Sequence, residues 1–353
     1  MSAPARLVDP GYRTVTLRAA GGRIAQRVGV RSALVTAGLV VIALGIGVVS
    51  LATGDFVVPI PDVLAAIVGR AEPRYELVVV EWRMPRVLLA LLLGAGLGAA
   101  GAVFQSLTRN PLGSPDILGF DVGAYTGAIL VIIAGAGAYL ATAAGALGGG
   151  IAAAAVVYVL AYRRGFHGFR LIIVGIGVAA MLGSLNTWLM LTAELRVAMD
   201  AAAWGAGSLN AVGWAQALPA AGTLLVLWVV LASLARPMHA LELGDDAAQA
   251  LGVRLGPSRL ALVVTGVALT ATATAAAGPI SFISLAAPQL ARRLTGSAGV
   301  TLAASAAMGA ALLAGSDWIA QHALAPTQLP VGIVTVSIGG IYLVWLLIRE
   351  ARR

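Results

Sequence analysis

From Ser32 almost to the C-terminus, the chain alternates between long apolar runs and short polar breaks. A run of about 20 apolar residues is what one helix needs to cross a bilayer. Ten runs of this kind predict ten spans, near 33–53, 86–107, 117–138, 140–161, 171–192, 214–235, 259–277, 280–294, 299–320 and 329–348. The eighth fits least well, being short and holding Pro288. The fold class that follows is all-α, a polytopic membrane protein whose residues 32–353 form one transmembrane domain. Residues 1–31 carry six Arg and read as a basic, disordered tail.

The breaks are as informative as the runs. Arg83-Met-Pro-Arg86 opens the second run. A guanidinium costs about 2.5–3.5 kcal/mol at mid-membrane, so both belong at an interface. There they either anchor the helix end or dock an acidic partner, since Arg forks match carboxylates. The same run ends in a polar elbow, Arg109-Asn110-Pro111 through Ser114-Pro115-Asp116. Proline removes a helical hydrogen bond, and the freed carbonyl must face protein or water rather than lipid. Asn110, Pro111, Pro115, Gly278, Pro279, Pro288 and Pro330 are therefore hinge or pathway candidates, beside the plainer reading of kinks that aid packing. Between the sixth and seventh runs lies a polar loop, about 236–258. Asp245 and Asp246 suit a helix N-terminus, Ala247 to Leu251 give a small apolar face, and Gly252 can end the turn. So short a helix is marginal in water. It packs either on its own protein or, as a peg made of Glu242, Leu243, Gly244, Asp245, Asp246, Ala247, Leu251 and Gly252, on a cytoplasmic partner.

Composition narrows the chemistry. The chain is 59% hydrophobic and 11% charged, with a mean hydropathy of +0.93; a soluble domain is about 25% charged. All 23 basic residues are Arg. Without Lys an ordinary P-loop is excluded, and without Cys so are disulfides and thiolate metal sites. The three His are scattered, so neither a metal nor a cofactor is expected. With the N-terminus inside, 18 Arg fall in inner segments and five outside, at 70, 74, 83, 86 and 196. That is the positive-inside pattern. It puts both termini in the cytoplasm and explains the net charge of +8 without nucleic acid.

Gly94, Gly98 and Ala102, like Ala306 and Ala310, are four apart and suit close helix packing in lipid. Gly94-x-Gly96-x-Gly98 lies inside an apolar span with no strand before it, so it is not a dinucleotide loop. A shift of 177 residues aligns Ala100–Val103 with Ala277–Ile280 and Pro111 with Pro288, which reads as inverted-repeat-like halves. Buried polar candidates are few: Gln105, Asp121, Asn186, Asp317 and Gln321. They are thin support for an ion-coupled carrier. A membrane-embedded enzyme would want His, Asp or Glu clustered at one interface, and none is evident.

Several motifs taken together carry a resemblance. They are Arg83-Met-Pro-Arg86; Gly101-Ala-Val-Phe-Gln105 leading through Arg109-Asn110-Pro111 to Pro115-Asp-Ile-Leu-Gly119; Leu243 to Val253; Gly278-Pro-Ile-Ser-Phe-Ile-Ser-Leu-Ala-Ala-Pro288; and Leu329-Pro330-Val-Gly332. From about residue 35 the chain resembles the FecCD family, permease subunits of bacterial ABC importers for iron-siderophores, haem and cobalamin. The resemblance implies a type II ABC importer permease with ten helices per subunit and a pathway between two permease subunits. It implies that Arg83 and Arg86 meet an acidic extracytoplasmic binding protein, and that residues 243–253 seat in a groove of a cytoplasmic ATPase subunit.

Two positions depart from the family pattern. Pro288-Gln289 stands where many members have Pro-His, and Gln321 stands where some relatives carry Arg after the aspartate matching Asp317. The 278–296 stretch is most similar to enterobactin-type members, which pair with a different permease. The expectation is therefore a ferric siderophore of catecholate type, a heterodimer, and a site in the bacterial cytoplasmic membrane. Haem or cobalamin is the alternative within the family, and an ion-coupled secondary transporter the alternative outside it.

Overall fold

In the computed structural model, residues 14–19, 24–135, 139–162, 168–210 and 212–351 are described. An antiparallel hairpin, β1 (Thr14–Ala19) and β2 (Ile24–Gly29), runs directly into α1 (Val30–Ala52). It corrects the expectation of disorder for those residues. Thr14-Val-Thr-Leu-Arg-Ala and Ile24-Ala-Gln-Arg-Val-Gly flank Gly21-Gly22 in the sequence, which is a hairpin signature that the Arg count hid. Arg6, Arg13, Arg23, Arg163, Arg164, Arg352 and Arg353, used above for orientation, lie outside the described residues.

All ten expected spans are present as helices. After α1 come α2 (Ile60–Ile67) and α3 (Pro73–Glu76), the latter continuing through a π-helical segment (Leu77–Arg83) into α4 (Met84–Thr108). Then follow α5 (Phe120–Ile133), α6 (Tyr139–Ala161), α7 (Gly168–Thr192), α8 (Leu195–Gly205), α9 (Trp214–Glu242) and α10 (Asp245–Ala250). The last four are α11 (Leu255–Ala277), α12 (Ile283–Thr295), α13 (Leu302–His322) and α14 (Val331–Ala351). Among the described residues seven helices are long and apolar enough to cross a membrane, and α5 and α14 are shorter apolar helices. The helices α2 and α8 were not anticipated.

The core is α4, buried along most of its length and packed against α9, α11, α12 and α13. In lipid no hydrophobic force drives helices together, so close van der Waals packing of small residues must do it. The expected small faces meet. Gly94 lies against the Gly309 carbonyl, and Gly98 against that of Ser305, so α4 and α13 pack backbone to backbone. Gly101 likewise abuts the Ser284 carbonyl of α12. Gly123 and Gly127 of α5 interleave with Gly145 and Gly149 of α6.

The halves are interlocked. The first half's α4 packs on α12 and α13, and the second half's α11 packs on α5 and α6. Both α5 and α12 begin just after a residue at positive φ, Gly119 (82°) and Phe282 (72°). Phe120 and Ile283, the first residues of α5 and α12, are 163 residues apart. At this junction the offset between the halves is 163 residues rather than 177. In a chain with 44 Gly and a great deal of Ala, three chance identities are cheap, and helix starts are the better measure.

Candidate functional site

Three places concentrate polar chemistry: the two ends of α4 and the elbow that leaves it. At the first end, Pro85 has no N–H and its ring crowds the carbonyl four residues back. The chain answers with the wide π turn, where Met84 N–H reaches back to Val79 O. Trp214 Nε1 donates to the Val80 carbonyl at 3.1 Å. The turn sets Arg83 against the end of α1, where it donates to Leu51 O (2.8 Å) and Phe56 O (2.6 Å). These are carbonyls at and just beyond a helix C-terminus, which lack intrahelical partners and sit at the negative end of the dipole.

Arg86 lies one turn on and grips Asp317 of α13 with a fork, Nε to Oδ2 at 3.0 Å and Nη2 to Oδ1 at 2.9 Å. Its Nη1 donates to Gln328 Oε1 at 3.0 Å, and Gln321 Nε2 donates to Asp317 Oδ2 at 2.9 Å. The pair is nearly enclosed, at 12% and 2% side-chain exposure. Both guanidiniums of the motif are thus engaged within the chain. Asp317, which looked from the sequence like a possible ion-coupling carboxylate, is an ion-pair partner, and Gln321 completes its shell.

At the other end, α9 runs on to Glu242, and Leu243 and Gly244 lead into α10. Ala248 is buried against the core, whereas Leu243 and Leu251 are 68% and 65% exposed. Asp246 is also exposed, and Gly252 at φ 80° ends the turn. Asp245 accepts from Arg259 of α11 and from Arg109 (2.9 Å) at the α4 terminus. The Arg259 hydrogen bond foremost, then Arg109, holds this carboxyl below the ordinary aspartate range. Glu242 faces His239 at 3.9 Å.

The elbow, residues 109–119, holds the hinge or pathway candidates Asn110, Pro111 and Pro115. Arg109 sits at φ 50°, a left-handed C-cap for α4, and its Nη2 also donates to the Leu241 carbonyl at 2.9 Å. Asn110 Oδ1 accepts from Leu112 N–H at 2.9 Å, closing a local turn. Pro111 O accepts from Gln289 Nε2 of α12 at 2.7 Å. Pro115 O accepts from Phe120 N–H, the first residue of α5, at 3.2 Å. Asp116 crosses to the other half, accepting from Phe282 N–H (2.9 Å) and from the Ser284 hydroxyl. It therefore ties the elbow to the residues at the head of α12.

The elbow climbs along α7. Thr108 is opposed by Gly168, Leu118 by Gly175, and Gly119 by Ala179. The eleven helical steps from Gly168 to Ala179 rise about 16 Å. So α5 begins well inside the bundle, and Asp116 just before it reaches the head of α12. Two discontinuous helices that start at mid-depth are an arrangement used in transporters to expose polar backbone inside a membrane.

The remaining candidates are scattered. Gly278 (φ 73°) and Pro279 press on the 204–207 backbone, Ser208 N–H donates to Ala277 O at 2.7 Å, and Gly332 N–H donates to Gly207 O at 2.9 Å. Pro288 is buried within α12, and Pro330 immediately precedes α14. Sequence reasoning did not assign roles to Arg109, Asp116, Ser284, Gln289 or Arg259. The available signal was charge beside broken backbone in an apolar stretch, which is costly unless used.

The profile of the FecCD transport family matches residues 39–349. The chain belongs to the FecCD transport family. It is 50% identical over 307 residues to the ferric enterobactin transport system permease protein FepG of Escherichia coli K12, covering 87% of this chain and 93% of that one. It is 36% identical over 318 residues to the iron(3+)-hydroxamate import system permease protein FhuG of Bacillus subtilis 168, covering 87% and 92%. It is also 36% identical over 297 residues to the Fe(3+) dicitrate transport system permease protein FecD of E. coli K12, covering 83% and 92%. A solved metal-chelate type ABC transporter in an inward-facing conformation superposes with a TM-score of 0.80 and 26% identity, over 90% of this chain and 99% of that one. As a FecCD chain with this fold, the protein is a type II ABC importer permease.

Proposed function

We propose that this FecCD chain is the transmembrane subunit that carries a ferric siderophore of catecholate, enterobactin-like type across the bacterial cytoplasmic membrane. The observation that carries the substrate reading is the 50% identity to FepG over most of both chains, against 36% to the hydroxamate and citrate permeases. The energy comes from elsewhere, because a chain with no Lys has no ordinary P-loop. The chain is a permease, not an enzyme, and its partners are a cytoplasmic ATPase, a second FecCD-type permease and an extracytoplasmic binding protein. Both of its termini are cytoplasmic.

The α10 end suits the ATPase. Leu243 and Leu251 expose apolar surface where lipid is absent, and Asp246 and the Gly252 turn flank them. The Arg83/Arg86 end suits the binding protein, with the two guanidiniums shaping that face. Arg83 ties α1 to α4, and Arg86 ties α4 to α13. The two ends can bias one gate each only by contacting two states differently.

Removal of the gene is expected to abolish growth on ferric enterobactin-like complexes as sole iron source, with restoration by this chain. Normal growth on them would reject the catecholate reading. Scrambling Asp245–Leu251 is expected to abolish co-purification of the ATPase. Retained co-purification would reject the peg. Arg83→Glu with Arg86→Glu is expected to weaken binding-protein affinity, and unchanged affinity in a folded complex would remove the pair from the docking face.

A further inference from the structure

We infer that the elbow 109–119 is the transmission between the ATPase-facing loop and the mid-membrane start of α12, with Arg109 and Asp116 as its two positioning residues. This rests on the reading of α10 as the ATPase contact. One side chain, Arg109, holds both parts of that contact, the Leu241 carbonyl at the α9 end and Asp245 at the α10 start. Arg259 seats the same carboxylate on α11. Any displacement of α10 is therefore felt at residue 109.

From there the elbow has few ways to yield. Pro111 and Pro115 fix φ at two positions. Asn110 closes a turn onto Leu112. Leu118 is fully buried, and Gly119 lies against α7. The far side of the elbow is bonded to α12 twice, at Pro111 through Gln289 and at Asp116 through Phe282 N–H and Ser284. Phe282 is non-glycine at φ 72°, an unfavourable conformation for an L residue that persists only when its surroundings hold it. The Asp116 carboxylate is what holds its N–H. Loop 236–258 thus reaches the one strained residue at the head of α12 through an unbroken chain of hydrogen-bonded, proline-stiffened backbone. The elbow and α12 move as one body when α10 moves.

The test uses the assembled transporter in proteoliposomes: this chain with its ATPase, second permease and binding protein. Arg109→Ala is expected to keep ATPase co-purification and ATP hydrolysis while ferric siderophore delivered per ATP falls about 5- to 100-fold, the range of allosteric couplings. Arg109→Lys, which restores the charge and a donor, is expected to recover much of it. An unchanged ratio with Arg109→Ala would overturn the inference. Loss of co-purification would mean that Arg109 builds the ATPase contact itself rather than relaying its movement, and would also overturn the inference.

A second variant stands apart from the stability of the first. The chain has no Cys, so Asp116→Cys with Ser284→Cys offers a single bridge across the joint. If elbow and α12 move together, the oxidised form transports and the reduced form is uncoupled. Transport in the reduced form that oxidation blocks would mean that the joint opens during the cycle, and would refute the transmission.

Discussion

At the scale of single residues, two kinds of site decide whether the bundle stands. The first is the Arg86–Asp317 pair. Removing one member of an enclosed, forked ion pair leaves the other charged and unpaired, at about 3–5 kcal/mol. Asp317→Ala is therefore expected to lower the thermal unfolding midpoint of the purified protein sharply. Arg86→Met combined with Asp317→Leu should restore most of the loss, since it leaves no charge behind. A double variant as unstable as the single would refute this account. The second kind is the packing glycine. A Cβ at Gly101 would collide with the Ser284 backbone, which cannot swing aside, whereas Gly177 has open space around it. Gly101→Ala is expected to prevent assembly of α4 on α12. Gly177→Ala should be neutral or stabilising by up to about 1 kcal/mol, because Ala is the better helix former. Yields of monodisperse protein compare the two directly.

At the scale of elements, the spans were legible because lipid leaves the chain little choice: a crossing helix must be apolar for its whole length. The α10 helix was legible for a different reason, since Asp245-Asp246 and Gly252 bracket it. What Asp245 touches was not, because Arg109 is 136 residues away and Arg259 is one of 23 identical side chains. Helices α2 and α8 escaped because, at eight and eleven residues, they are too short to read as spans. The carboxyl of Asp245 titrates below its usual range of about 4. The unfolded chain takes up this proton first, so the contribution is complete above the unfolded value and is lost as pH falls through the lower, folded one. Protection of the α9–α11 loop from protease is thus expected to be flat from about pH 8 to 5 and to drop only below the ordinary aspartate range. The side chain is 45% exposed, so Asp245→Asn should cost no more than about 1 kcal/mol. Loop protection that already fell near pH 6 would refute this account.

At the scale of the whole molecule, the proposed orientation rests on arginine. The inner Arg excess is spread over the tail and every inner loop, so no single segment sets it. In the proposed orientation ten crossings return the chain to the side where it began, with α10 and the α12–α13 turn on the inner face and the α2–α3 turn on the outer. That arrangement is what the proposed division of labour needs, with docking at the Arg83 end and work at the α10 end. The absence of Cys makes the test direct. Arg70→Cys, exposed between α2 and α3, is expected to react with a membrane-impermeant maleimide in intact spheroplasts. Ala298→Cys, exposed between α12 and α13, should react only after permeabilisation. The opposite pattern would invert the protein, put α10 out of reach of any cytoplasmic ATPase, and remove the physical basis for the peg, the elbow and the docking face together.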